Sequence, residues 1–265
     1  MRFRLQSGLT LRYITRGAGR PVVLMHPVGL RAEFWAPVIA ELEHQYRLIA
    51  IDARGHGESD VSGPFKLDDL ARDAIELVRA VGLGPAVFVG CSMGGMVAQG
   101  VSVLAPEIAS GIVIANTTYT RDEPGRAMIE LRAAQAEMGM PVILPSTLAR
   151  WFNAQRQLNR PDLVLQARDW LLANDPTVHA WAWRAIRDLD FAEALRKSPV
   201  PALCVAGTED QATAATAVRK MASDLPSASY REIPGAGHLA PLEEPQEFAA
   251  LLREFIENLP NRGQS

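Results

Sequence analysis

Ser92 lies between Gly90 and Gly94 in the stretch VFVGCSMGGMVAQG, residues 87–100. The residues before it are a continuous apolar run and those after it carry a helical pattern. The hydroxyl is therefore placed at a strand-to-helix junction. A Gly-x-Ser-x-Gly turn at such a junction lifts the serine above the carboxyl ends of a sheet as a nucleophile. Side chains two positions before and after it would strike the neighbouring helix and strand, which explains Gly90 and Gly94, and Gly95 eases the same packing. A serine nucleophile needs a base to take its proton, and the base needs a carboxylate to orient it. The five histidines are His26, His44, His56, His179 and His238. His238 occupies IPGAGHLAPLEEP, between the last expected strand and the last expected helix, so its loop emerges on the same sheet edge as Ser92. The carboxylate is expected from PALCVAGTEDQAT, where Asp210 follows Gly207 after enough chain to clear the strand and turn inward. Glu209 is its near rival, and Asp188 and Asp190 in IRDLDF are more distant ones.

The chemistry implied is acyl transfer to Ser92, with His238 as base and Asp210 orienting it. A tetrahedral intermediate then needs backbone donors. Met93 N–H, at the start of the following helix, is one. The second is expected from HPVGL, residues 26–30, where Pro27 has no N–H and Val28 is the donor, with Gly29 permitting the turn. His26 is expected to brace that loop by hydrogen bonding.

Other reactive residues read differently. DARGHGES (52–59) has no metal-ligand spacing and reads as a tight turn. His179 lies among Trp170, Trp181 and Trp183 and reads as a packed residue. Cys91 adjoins Ser92 but points elsewhere. No His/Cys cluster has zinc spacing, and Gly90, Gly94 and Gly95 form neither a dinucleotide fingerprint nor a phosphate loop. No metal or organic cofactor is implied.

Several elements must position these residues. Residues 2–6 and 9–16 read as a hairpin turning at Ser7-Gly8. PVVLMH (21–26), YRLIAID (46–52), PAVFVG (85–90) and SGIVIANT (110–117) read as buried strands, with helices at about 33–44, 67–82 and 93–104 between them. Strands alternating with helices indicate a parallel sheet covered on both faces, an α/β fold. The alternation stops near Thr120, and residues 121–196 carry helical patterns and no convincing strand. It resumes with PALCVAG (201–207), a helix at 211–224, SASYREI (227–233) and a helix at 243–258. The reading is a core of residues 1–120 and 197–265 with a helical cap inserted at 121–196. LPNRGQS (259–265) reads as a loose tail.

Length and composition are compatible with this. A chain of 265 residues, 48 % hydrophobic and 22 % charged, can bury one large α/β domain without staples. The formal net charge of −3 provides no basic footprint for nucleic acid. No apolar run is long enough to span a membrane, and arginines interrupt every apolar stretch of MRFRLQSGLTLRYITRG, so a signal peptide is not expected. Cys91 and Cys204 read as buried free thiols, in keeping with a cytoplasmic protein. The expected partner is a small molecule, with neither nucleic acid nor membrane.

The motifs HPVG, DARGHGES, GCSMGG, GTED and GHLAPLEEP together resemble the α/β-hydrolase superfamily over essentially the full length. That family orders its triad as Ser, acid, His, the order of Ser92, Asp210 and His238. It usually carries His-Gly where this chain has His26-Pro27, a departure compatible with the Val28 donor. CSMGGMVAQ, IVIANTT (112–118), ARWF (149–152), AIRDLDF (185–191) and AGTEDQAT (206–213) are most similar to 3-oxoadipate enol-lactonases. The resemblance implies hydrolysis of a small enol-lactone in aromatic catabolism. Carboxylesterases, carbon–carbon bond hydrolases and perhydrolases of the same fold are alternative readings, and a ligand receptor on a hydrolase fold is a more distant one. Dehalogenases and epoxide hydrolases need a carboxylate where this chain has Ser92. An anionic lactone calls for a cation. Residues 121–196 hold ten arginines (Arg121, Arg126, Arg132, Arg150, Arg156, Arg160, Arg168, Arg184, Arg187 and Arg196) and ten acidic residues, so bulk charge does not decide the matter. Trp35, Trp151 and Trp183 are candidates to line an apolar pocket.

Overall fold

A computed structural model of the chain describes residues 1–260, so the tail expected at 259–265 lies mostly outside the described residues. Eight strands form one sheet: β1 (Arg2–Arg4), β2 (Thr10–Arg16), β3 (Arg20–Met25), β4 (Tyr46–Ile51), β5 (Ala86–Cys91), β6 (Ala109–Ala115), β7 (Ala202–Gly207) and β8 (Ala228–Ile233). Their order is β1-β2-β4-β3-β5-β6-β7-β8. β1 pairs antiparallel with β2, and β2 with β4, while every pairing from β4 to β8 is parallel. The apolar runs that mark β5, β6 and β7 are buried along their whole length, as strands covered on both faces must be. The edge strand β8 instead alternates half-buried and exposed positions up to the buried Ile233.

Among the described residues twelve α-helices accompany the sheet: α1 (Ala36–Leu42), α2 (Leu67–Ala80), α3 (Met93–Leu104), α4 (Glu123–Glu137), α5 (Met140–Trp151), α6 (Ala154–Asn159), α7 (Pro161–Leu172), α8 (Pro176–Arg187), α9 (Ala192–Arg196), α10 (Ala215–Asp224), α11 (Ala240–Glu243) and α12 (Pro245–Glu257). α2 packs on α3 and α1 on α12, and the helices between β6 and β7 pack chiefly on one another, α4 on α8 and α5 on α7. No strand interrupts α4 to α9; a single bridge, Thr120 to Asp190, ties the two ends of this excursion together.

Two helix starts differ from the sequence reading by three residues or more. The helix expected from residue 33 begins as a 3-10 turn over Ala32–Trp35, and α1 starts at Ala36. Pro37 has no N–H to give, so it is accommodated only in the first turn. α10 begins at Ala215 instead of 211, after a turn in which the Asp210 carboxylate accepts the amides of Ala212 and Thr213. No described helix is long and apolar enough to cross a membrane.

Parallel registration places the carboxyl ends of the central strands together. Met25 is opposite Gly90, and Cys91 opposite Ala115. The Ser92 amide continues the ladder to Ala115 O at 2.9 Å, and the Asn116 amide to Val205 O at 2.9 Å. The loops after β3, β5, β6, β7 and β8 therefore converge on one edge.

Candidate active site

Ser92 has φ 53° and ψ −118°, a conformation side-chain-bearing residues rarely adopt and one that costs roughly 1–3 kcal/mol. The glycines around it make the turn possible. A Cβ on Gly90 would land on the backbone of Gly94, and a Cβ on Gly94 would land on the carbonyl of Met25, both well inside contact distance. Gly95 leaves room for the Thr117 methyl group, which a Cβ would meet at 2.8 Å. Serine at a helix N-cap ordinarily turns its oxygen onto the helix amides. Ser92 does not; it makes no side-chain cap bond to α3. Its Oγ lies 3.0 Å from His238 Nε2 instead.

His238 Nδ1 lies 2.9 Å from Asp210 Oδ2 and 3.1 Å from Oδ1. An ionised carboxylate only accepts, so Nδ1 carries the proton and Nε2 is left to accept from the Ser92 hydroxyl. Burial opposes the charge of Asp210, but His238, Asn116 Nδ2 and the Thr213 amide outweigh it and hold the carboxyl below its usual range. Asp210 accepts from four donors: His238 Nδ1, Asn116 Nδ2 at 3.0 Å, Ala212 N at 2.7 Å and Thr213 N at 2.9 Å. The rivals lie elsewhere. Glu209 is exposed, Asp188 pairs with Arg187 at 2.8 Å, and Asp190 accepts from Thr120 at 3.2 Å.

Sequence reasoning missed three supports of this arrangement. Asn116, with φ 53°, donates to Asp210 and also to Gly237 O at 3.1 Å, so it clamps the acid to the histidine loop. Glu243, buried below that loop, accepts the amides of Gly237 (3.1 Å) and Leu239 (3.2 Å) on either side of His238. Burial raises its carboxyl to about 6, against the opposing pull of the Gly237 amide and Arg156. Arg156 Nε pairs with Glu243 at 3.1 Å and the same guanidinium also reaches Glu244. Finally, the His238 amide donates to Trp151 O at 2.9 Å, which joins the histidine loop to the end of α5.

On the far side of Ser92, residues 27–30 form a tight turn closed by Leu30 N to Pro27 O at 3.2 Å, with Gly29 at φ 78°. This is the type II geometry that needs glycine at its third position. Neither Val28 N nor Met93 N donates to any described protein group, and Met93 N stands at the positive end of α3. His26 braces the turn as expected: Nδ1 faces Pro27 O at 2.7 Å and Nε2 accepts Ala53 N at 3.0 Å. Burial drives its pKa down to about 4, so the ring is neutral. DARGHGES is the turn behind this brace. Its buried Asp52 accepts Ala32 N at 2.6 Å and Glu58 N at 3.0 Å, and pairs with Arg12 at 3.3 Å.

His179 accepts from Trp183 Nε1 at 3.0 Å and packs under Gly29, a structural position. Trp35 is sealed in the core against Phe34 and Phe248. Trp151 is buried, and Trp183 lies beneath the guanidinium groups of Arg132 and Arg150. Cys91 and Cys204 are buried free thiols, and burial raises both, Cys204 to about 12. Among the described residues no group of three His, Cys, Asp or Glu side chains is placed to hold a metal ion.

A family model described as "Alpha/beta hydrolase family" matches residues 22–251. The (E)-2-((N-methylformamido)methylene)succinate hydrolase of Acinetobacter baylyi is 29 % identical over 97 % of this chain and 98 % of its own length. The 3-oxoadipate enol-lactonase 1 of the same organism is 27 % identical over 90 % of this chain and 89 % of its own. Among solved structures, the enol-lactonase of Burkholderia xenovorans LB400 superposes with a TM-score of 0.89 at 25 % identity, covering 97 % of this chain and all of that one (100 %).

Proposed function

This chain belongs to the alpha/beta hydrolase family, and on that premise we propose that it is a serine hydrolase opening a small lactone or ester through an acyl-enzyme. The observation that carries the reading is the position of His238, with one ring nitrogen 3.0 Å from Ser92 Oγ and the other 2.9 Å from Asp210. In the first half-reaction Ser92 Oγ attacks the carbonyl carbon and its proton passes to His238 Nε2. The oxyanion is received by the amides of Val28 and Met93. The ring C–O bond then breaks, and His238 returns the proton to the leaving oxygen. In the second half, His238 takes a proton from water, the resulting hydroxide attacks the acyl carbon, and Ser92 recovers its proton as the acid leaves. Asp210 keeps the imidazole in the required tautomer and stabilises the imidazolium.

The substrate we assign is the enol-lactone of 3-oxoadipate, on which the breaking C–O bond releases an enol. Similarity to enol-lactonases over nearly the whole chain supports this choice. We further assign residues 121–196 the role of a cap on a catalytic core of 1–120 and 197–265. The Trp151–His238 bond and the Arg156–Glu243 pair, which join that segment to the histidine loop, support the assignment. The test is to generate the enol-lactone in situ and compare its kcat/KM with that of p-nitrophenyl acetate and butyrate. The proposal expects the lactone to exceed both by at least about a hundredfold. Short esters exceeding the lactone would make the protein a carboxylesterase.

A further inference from the structure

Of the ten arginines in residues 121–196, six are paired with a carboxylate: Arg156, Arg160, Arg168, Arg184, Arg187 and Arg196. Of the other four, Arg121 and Arg126 donate to the backbone carbonyls of Ile186 and Arg121, which leaves Arg132 and Arg150. Both are half-buried, on α4 and α5, and both face the ring of Trp183, at 5.6 and 5.7 Å from its centroid. Neither makes a salt bridge or a side-chain hydrogen bond to any described group, and Arg150 Nε is fully buried without an acceptor. Burial and the proximity of further cations weigh against the charge of Arg150, pulling it down to about 9, and Arg121 stands close enough to contribute. The nearby Asp210 gives Arg150 some relief, but its own oxygens are already taken by four donors. Two cations over one aromatic ring gain some cation–π attraction, which neither neutralises them nor satisfies a buried N–H. Arg150 is also the direct neighbour of Trp151, whose carbonyl holds the His238 amide.

We propose that Arg132 and Arg150, set against Trp183, form a subsite for a carboxylate carried by the substrate, so that the preferred esters and lactones are anionic at a position away from the reacting carbonyl. The subsite rests on the serine hydrolase reading for its place in catalysis, but its anion binding is separable from turnover. A carboxylate offers a planar pair of acceptors to guanidinium forks and would meet the unsatisfied Nε of Arg150. It also supplies the negative charge that the protein itself withholds from this pair. The arginines then act on substrate binding, and Ser92, His238 and Asp210 on the bond.

The experiment compares wild type with Arg150→Gln, Arg132→Gln and Arg150→Lys on two substrates of equal leaving group, p-nitrophenyl acetate and the p-nitrophenyl monoester of glutaric acid. Each Gln variant is expected to raise KM for the glutarate ester about 10–100-fold, the range for losing a charged hydrogen bond in a desolvated site. Its kcat/KM for the acetate ester stays within about threefold of wild type, and Arg150→Lys recovers part of the loss. Equal losses on both esters would mean a structural role and overturn the proposal, as would no change on either. A second readout is the rise in melting temperature on adding glutarate at pH 7, expected for wild type and absent in both Gln variants. Arginine-dependent stabilisation without ester turnover would sink the hydrolase reading and leave the anion site standing. Turnover without any preference for the anionic ester, and without stabilisation by glutarate, would do the reverse.

Discussion

Asp210→Asn tests the electrostatic logic of the site, because the replacement keeps the shape and removes only acceptor capacity. The four donors aimed at Asp210 match the lone pairs of a carboxylate. An amide has one oxygen and one NH2. Its oxygen will stay with Ala212 N and Thr213 N, which hold the shorter contacts at 2.7 and 2.9 Å. The NH2 then faces Asn116 Nδ2 and His238 Nδ1. The imidazole can accept from it only by moving its own proton to Nε2, where it points at Ser92 and can no longer take the serine proton. The expected fall in kcat is about 10⁴-fold, or roughly 5.5 kcal/mol of barrier. Asn116 Nδ2 keeps Gly237 O but its second hydrogen loses its acceptor, which costs stability as well, about 1–3 kcal/mol. The assay is p-nitrophenyl acetate hydrolysis at pH 7 alongside urea denaturation, with the exposed Glu209→Gln as a control expected to stay within twofold. A folded Asp210→Asn protein with kcat within tenfold of wild type would refute the tautomer argument.

Gly94→Ala puts a methyl group on the Met25 carbonyl, and a stability loss of roughly 3 kcal/mol or more, or failure to fold, is expected by calorimetry. Asn116→Ala releases the clamp between Asp210 and Gly237 and should lower kcat about 10–100-fold with KM nearly unchanged, measured on the same ester. Glu243 gives a pH signature. Its carboxyl, raised from 4.5 to about 6, binds its proton more tightly in the folded state. Its stability contribution is therefore full below about 4.5 and lost as pH rises through 6, amounting to about 2 kcal/mol. Glu243→Gln should flatten the stability profile across that window in urea titrations at pH 4.5 and 7.

Ser92, Asp210 and His238 were readable because each lies just past a strand end, in a loop marked by glycine, and a parallel sheet brings such loops to one edge. The Val28 turn was readable because Pro27 removes one donor and Gly29 permits the bend. Asn116 was not, because an asparagine in ANTT reads as generic turn chemistry and its partner Asp210 is 94 positions away. Glu243 looked like one of several acids in LEEP. Only the fold shows that its side chain turns under the His238 loop and meets Arg156 from the helical segment. For the same reason the arginine total of residues 121–196 was uninformative. Charge balance over a segment says nothing about which guanidiniums lack a partner, and that depends on how α4, α5 and α8 pack.

The proposed mechanism depends on Ser92 being the activated nucleophile. Reaction with diethyl p-nitrophenyl phosphate tests it most directly, because only a serine with a working base attacks the phosphorus and expels p-nitrophenolate. One diethylphosphoryl group per chain is expected, mapped to Ser92 by peptide mass spectrometry, with activity lost in proportion to labelling. Ser92→Ala should be folded, unlabelled and inactive. Labelling at another residue as activity falls, or a Ser92→Ala protein that still turns over ester within tenfold of wild type, would contradict it.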